Sequence, residues 1–150
     1  LMASACSSGG ILAGVQPGVC GELRSFGRAF GIAFQIVDDL LDFTGDEAEV
    51  GKPLGVDLAG GKFSLPVLHL KRVLKGREGR RLAGLLTRAS LTDGGAREVV
   101  DMVRERGGLE YAAGRAESYV KEALASAARV PEAARASFEK LALCALERRK

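Results

Sequence analysis

Three aspartates fall in the run Asp38-Asp39-Leu40-Leu41-Asp42, at the end of a stretch from about Val19 to Phe43 that is apolar around most of its circumference. In an α-helix, at about 100° per residue, Asp38 and Asp42 lie about 40° apart on one face and form a carboxylate ledge. Carboxylates set in an apolar helix are costly to desolvate unless cations or hydrogen-bond partners compensate them. Oxygen ligands of this kind suit Mg²⁺, which keeps several waters and bridges to substrate phosphates.

Gln35 and Phe34 stand one turn earlier, and Gly27 and Gly31 leave the preceding turns bare. Glycine inside a helix costs roughly 1 kcal/mol relative to alanine, so close approach of a ligand or a second helix is the expected compensation. Beyond the helix, Lys52 follows Gly51, Lys62 follows Gly61, and Asp57 lies between the two lysines. Cations on a glycine-rich loop beside a metal ledge can bind the diphosphate oxygens that the metal leaves free. Acids, metal and lysines together specify a grip on pyrophosphate.

Each element has a plainer reading. An isolated DDxxD at a helix terminus is most often a solvated end, a lone glutamine is most often a satisfied amide, and a lone phenylalanine is ordinarily core. The combination of apolar helix, spaced acids and spaced lysines is much rarer than any single part. Gly51-Lys52 is not a Walker sequence, because GxxxxGK[ST] is absent. His69 sits on an apolar helix and reads as structural, and Cys6, Cys20 and Cys144 read as small buried apolar residues.

The elements that must position these side chains are helical. Leu1 to about Ala13 reads as a helix rich in small residues, closed by Gly14 and the Gln16-Pro17-Gly18 turn. Thr44 to Lys62 loses periodicity and reads as an ordered polar loop. Ser64 and Pro66 announce a helix whose buried side is expected at Leu65, Leu68, Val73 and Leu74. Further helices are expected over about 77–88, 93–106 and 109–128, with Pro131 in the first turn of a last one reaching about Arg148. No period-2 strand pattern occurs, so the fold class is all-α.

The composition bounds the function classes. The chain has 150 residues, 47% of them apolar and 27% charged, with 20 Gly and only 4 Pro, which suits one globular domain or a large piece of one. A net charge of +3 with interleaved signs gives no support for nucleic-acid binding. Three cysteines without CxxC spacing indicate neither a disulfide framework nor a zinc knuckle, and fit a reducing, cytoplasmic setting. Residues 1–20 are uncharged but broken by four Gly, three Ser and Pro17, unlike a signal peptide or a membrane span. The chain starts at Leu1 within an apolar pattern and without a capping signal, which suggests a truncated beginning.

The segments GRAFGIAFQIVDDLLDFTGD and GKPLGVDLAGGKFSLP, within about 27–67, resemble the second half of trans-isoprenyl diphosphate synthases, most closely the medium- and long-chain polyprenyl group. The resemblance implies the isoprenoid synthase helical bundle, usually a homodimer, acting on an allylic diphosphate and isopentenyl diphosphate with Mg²⁺. It implies that Asp38, Asp39 and Asp42 help hold the metal, with Asp57 in its outer shell. It further implies that Lys52 and Lys62 neutralise the leaving diphosphate, and that Gln35 and Phe34 face the allylic carbon and the incoming isopentenyl group. The family's first aspartate-rich motif and its isopentenyl-binding basic residues have no counterpart in this chain, so residues 1–150 correspond to the C-terminal portion of one synthase domain. A non-catalytic diphosphate-binding remnant or regulatory subunit is the alternative. A terpene cyclase shares the fold, but its NSE-type motif is absent.

Overall fold

The computed structural model describes residues 1–44, 54–89 and 93–147. The described residues form helices α1 (Met2–Leu12), α2 (Pro17–Thr44), α3 (Val56–Ala59), α4 (Leu65–Val73), α5 (Gly76–Ala89), α6 (Asp93–Glu105), α7 (Gly108–Ala127) and α8 (Glu132–Glu147), and no strand. The all-α expectation holds, and the helix ends fall within a few residues of the punctuation read from Gly and Pro. The supposed loop between Thr44 and Lys62 differs, because one helical turn, α3, forms inside its described part.

The chain divides into two compact units, Leu1–Val37 with Gly114–Lys150, and Asp38–Ala113, so α2 and α7 contribute residues to both. In the first unit Phe26, Ala29, Phe30 and Ala33 of α2 are buried with Val120, Ala123 and Ala127 of α7 and Ala142 and Ala145 of α8. Phe26 stacks on Phe30 at 5.9 Å between ring centroids and meets Phe138 edge-on at 4.8 Å. The alanines let the helices approach closely enough for these rings to fill the space between them. Gly27 shows the same economy against α1: a Cβ there would stand 2.5 Å from the Met2 carbonyl oxygen. The compensation for the bare turns of α2 is therefore a second helix, since a Cβ on Gly31 would also meet Met2.

The second unit is built on Phe43, Leu58, Val67, Leu70, Leu82, Leu85, Leu86 and the α6 stripe Ala96, Val99, Val100, Met102 and Val103. Its helix α4 departs from expectation. Pro66, Val67 and Leu70 are buried, whereas Leu68 and Val73 are about half exposed. The expected apolar positions included both sides of a short helix, and the core selected the face that adjoins Leu58 and Val103. His69 stacks on Tyr111 at 3.8 Å, in keeping with a structural role. The three cysteines are free and half-buried, not fully buried, and burial pushes the Cys6 thiol up from its ordinary pKa.

Candidate functional site

The carboxylates sit on the last two turns of α2, flanked by anchors. Phe43, next to Asp42, is 1% exposed, and Leu58, next to Asp57, is fully buried. Burying the two neighbours fixes where the acids can point. Between them Gly55 precedes α3 with a φ of 77°, and a Cβ at that position would come within 3.2 Å of Val100. An L side chain there would face both a left-handed backbone and a packed core, so the turn that delivers Asp57 requires glycine.

Main chain and side chain of Asp42 both hold that turn. The Asp42 carbonyl accepts the Gly55 N–H at 3.0 Å. Its Oδ2 accepts the Asp57 N–H at 3.2 Å, acting as a cap for the short helix from a distant segment. Burial, then repulsion from Asp57, pushes the Asp42 carboxyl above the usual carboxylate range, opposed by the N–H groups of Asp57 and Val56 and by the Lys62 charge.

Lys62 lies among the acids. Its Nζ donates to Asp57 Oδ2 at 2.7 Å and to Asp39 Oδ1 at 3.0 Å. The Asp39 side chain is 12% exposed, while those of Asp57 and Lys62 are 40% and 52% exposed, so the cluster opens to solvent on the lysine side. These two carboxylates, Asp57 first, hold the Lys62 ammonium well above the ordinary lysine range, and it is charged at any physiological pH.

The structure thus brings together Asp39, Asp42, Asp57 and Lys62. Asp38 is exposed on the same helix end. Gln35 and Phe34 belong to the first unit: Gln35 is exposed, and Phe34 packs half-buried at 6.0 Å from Phe30, which gives it a core contact. Lys52 lies outside the described residues. One member of this neighbourhood escaped sequence reasoning. Arg104, in the last turn of α6, donates from Nε at 2.9 Å and Nη2 at 2.6 Å to the carbonyl oxygen of Phe43. In sequence it reads only as a basic residue placed favourably against its own helix dipole.

Among the described residues no three acidic, histidine or cysteine side chains stand close enough to hold a metal ion by themselves. A hard divalent cation typically takes one or two protein carboxylates and completes its coordination with water and phosphate. The donor chemistry fits: the site offers carboxylate oxygens only, and two of them already converge on the positive charge of Lys62.

The chain is similar to known proteins in sequence and in fold. The profile of the Polyprenyl synthetase family matches residues 1–103. The mitochondrial hexaprenyl pyrophosphate synthase of Saccharomyces cerevisiae is 37% identical over 152 residues, covering 100% of this chain and 31% of its own length. The octaprenyl diphosphate synthase of Escherichia coli is 35% identical, covering 88% of this chain and 41% of its own. Among solved structures, the polyprenyl synthase of Caulobacter crescentus, complexed with calcium and isoprenyl diphosphate, superposes with a TM-score of 0.83 at 32% identity, over 99% of this chain and 46% of that one. The chain belongs to the polyprenyl synthetase family and has its all-α fold. It spans under half the length of these relatives.

Proposed function

We propose that this chain supplies the second metal and diphosphate site of a trans-polyprenyl diphosphate synthase and forms the C-terminal portion of that single catalytic domain. The observation that carries the reading is the convergence of Asp39 and Asp57 on Lys62, within 3.0 Å, at the end of the acidic helix. The reaction is the condensation of an allylic diphosphate with isopentenyl diphosphate to give a longer trans-polyprenyl diphosphate. Asp38, Asp39 and Asp42 would help hold Mg²⁺, with Asp57 in its outer shell. Bound there, the metal supplies Lewis-acid stabilisation of a departing diphosphate. Lys62, with Lys52, offsets negative charge building on the diphosphate oxygens as the allylic C–O bond breaks and its electron pair leaves with the oxygen. The isopentenyl double bond then attacks the allylic carbon, and the proton released from the isopentenyl unit passes to diphosphate. Gln35 and Phe34 are assigned to the allylic and isopentenyl groups. Calcium and isoprenyl diphosphate in the Caulobacter relative support a divalent ion and this ligand class. The family resemblance supports a homodimer of the whole enzyme, and the three free cysteines support a reducing compartment, the cytoplasm.

The alternative reading is a non-catalytic diphosphate-binding remnant or regulatory subunit of such a synthase. Incorporation of labelled isopentenyl diphosphate into an allylic primer separates the two. We expect Mg²⁺-dependent incorporation when the chain is supplied with the N-terminal half of a polyprenyl synthase, falling by about a hundredfold or more in Asp38→Ala. Absence of incorporation from demonstrably folded protein, with and without that half, would select the remnant.

A further inference from the structure

We propose that Arg104 is a positioning residue for the carboxylate site: it fixes the last turn of α2 and so sets the distance from the acidic helix to the turn that carries Asp57. Both Nε and Nη2 converge on one oxygen, the carbonyl of Phe43, from a residue 61 positions away in sequence. That carbonyl is one of the four at a helix C-terminus that the helix itself leaves without a partner. The end of α2 carries the negative pole of the helix dipole and also Asp38, Asp39 and Asp42, so negative charge accumulates there. A guanidinium against the terminal carbonyl offsets that charge through the backbone.

The clamp is rigid on both sides. Val100 and Val103, which precede Arg104 on α6, are at most 1% exposed, and Phe43 is buried in the same core. The adjacent residue, Asp42, is the one whose carbonyl and carboxylate receive the Gly55 and Asp57 N–H groups. The connection therefore runs Arg104, Phe43, Asp42, Asp57 through three contacts of 3.2 Å or less. A lysine could donate to the carbonyl, but only as a flexible point charge; the planar guanidinium fork makes two bonds in a fixed direction. Arg104 lies one residue beyond the stretch matched by the family profile.

The catalytic meaning of this inference rests on the diphosphate-site reading above, and two measurements keep them apart. Amide-resolved hydrogen exchange on the 150-residue chain, in wild type, Arg104→Met and Arg104→Lys, tests the clamp alone. In Arg104→Met the Gly55 and Asp57 amides should exchange at least about tenfold faster, the size expected on removing a hydrogen bond from a charged donor, while α8 amides keep their rates. Arg104→Lys should restore part of the protection. Unchanged Gly55 and Asp57 rates, or equal acceleration throughout the chain, would overturn the proposal. If Arg104→Met does not fold, the same selective pattern in Arg104→Lys decides. The second measurement titrates Mg²⁺ at fixed inorganic pyrophosphate: the half-saturating Mg²⁺ concentration should rise about fivefold or more in Arg104→Met. A wild-type chain that binds no pyrophosphate would remove the diphosphate reading, while the exchange data would still decide whether Arg104 holds the turn.

Discussion

Asp42 and Lys62 show how single side chains in this site combine structural contacts with charge. The Asp42 carboxyl is raised above its unfolded pKa, chiefly by burial and then by Asp57. Between its unfolded and folded pKa values the folded chain binds more protons than the unfolded one, so stability falls as pH rises through that window, and the deficit is complete above the folded pKa. Asp42→Asn keeps an oxygen to accept the Asp57 N–H and carries no charge. In the absence of divalent metal it should melt higher than wild type at pH 7, with the gain vanishing below about pH 4, where the wild-type carboxyl is protonated in both states. A gain that persisted at low pH would mean that charge is not the cause. Lys62→Gln should behave differently. Lys62 itself is half exposed, so unfolding free energy should change by only about 0–1 kcal/mol, while pyrophosphate affinity in Mg²⁺ should fall about tenfold. These roles were partly legible in sequence: the acid and lysine types and spacings were, whereas the capping of α3 by Asp42 was not, because that contact depends on a turn fifteen residues away closing against Phe43 and Val100.

Among the elements, α2 carries most of the information. Its length, its alanine and phenylalanine stripe and its acidic end were readable as one pattern, and the bare turns at Gly27 and Gly31 pointed to a close neighbour of unspecified kind. The structure identifies α1 as that neighbour, and the two glycines differ in what they face. A Cβ at Gly27 would press on the Met2 backbone, while at Gly31 it would meet Met2 Cβ and Cγ at 3.1 Å, a contact that a shift of about a few tenths of an ångström relieves. Gly27→Ala should therefore destabilise by about 1–3 kcal/mol in denaturant titration, and Gly31→Ala should be near neutral, since gained helix propensity of roughly 1 kcal/mol offsets a small adjustment. Equal effects at both positions would contradict the packing described. The misread face of α4 has a physical origin as well. In a nine-residue helix with apolar side chains at Leu65, Val67, Leu68, Leu70 and Val73, periodicity does not single out a stripe, and the tertiary contacts of Val67 and Leu70 decide.

At the scale of the molecule, fold class and family could be read from about forty residues of motif, whereas the rest of the chain contributes amphipathic helices whose sequences are far less specific. Arg104 belongs to that less specific part, and only the folded chain brings it to Phe43. Among the described residues no helix is long and apolar enough to cross a membrane. The proposed function requires this chain to grip diphosphate through a metal held by the acidic end of α2. Calorimetric titration of inorganic pyrophosphate into the purified chain, with Mg²⁺ and with EDTA, tests that requirement most directly. Binding should require Mg²⁺ and weaken by more than about tenfold in the Asp38→Ala, Asp39→Ala double variant, with helical circular dichroism unchanged. Pyrophosphate bound equally well without Mg²⁺, or with the two aspartates replaced, would contradict it.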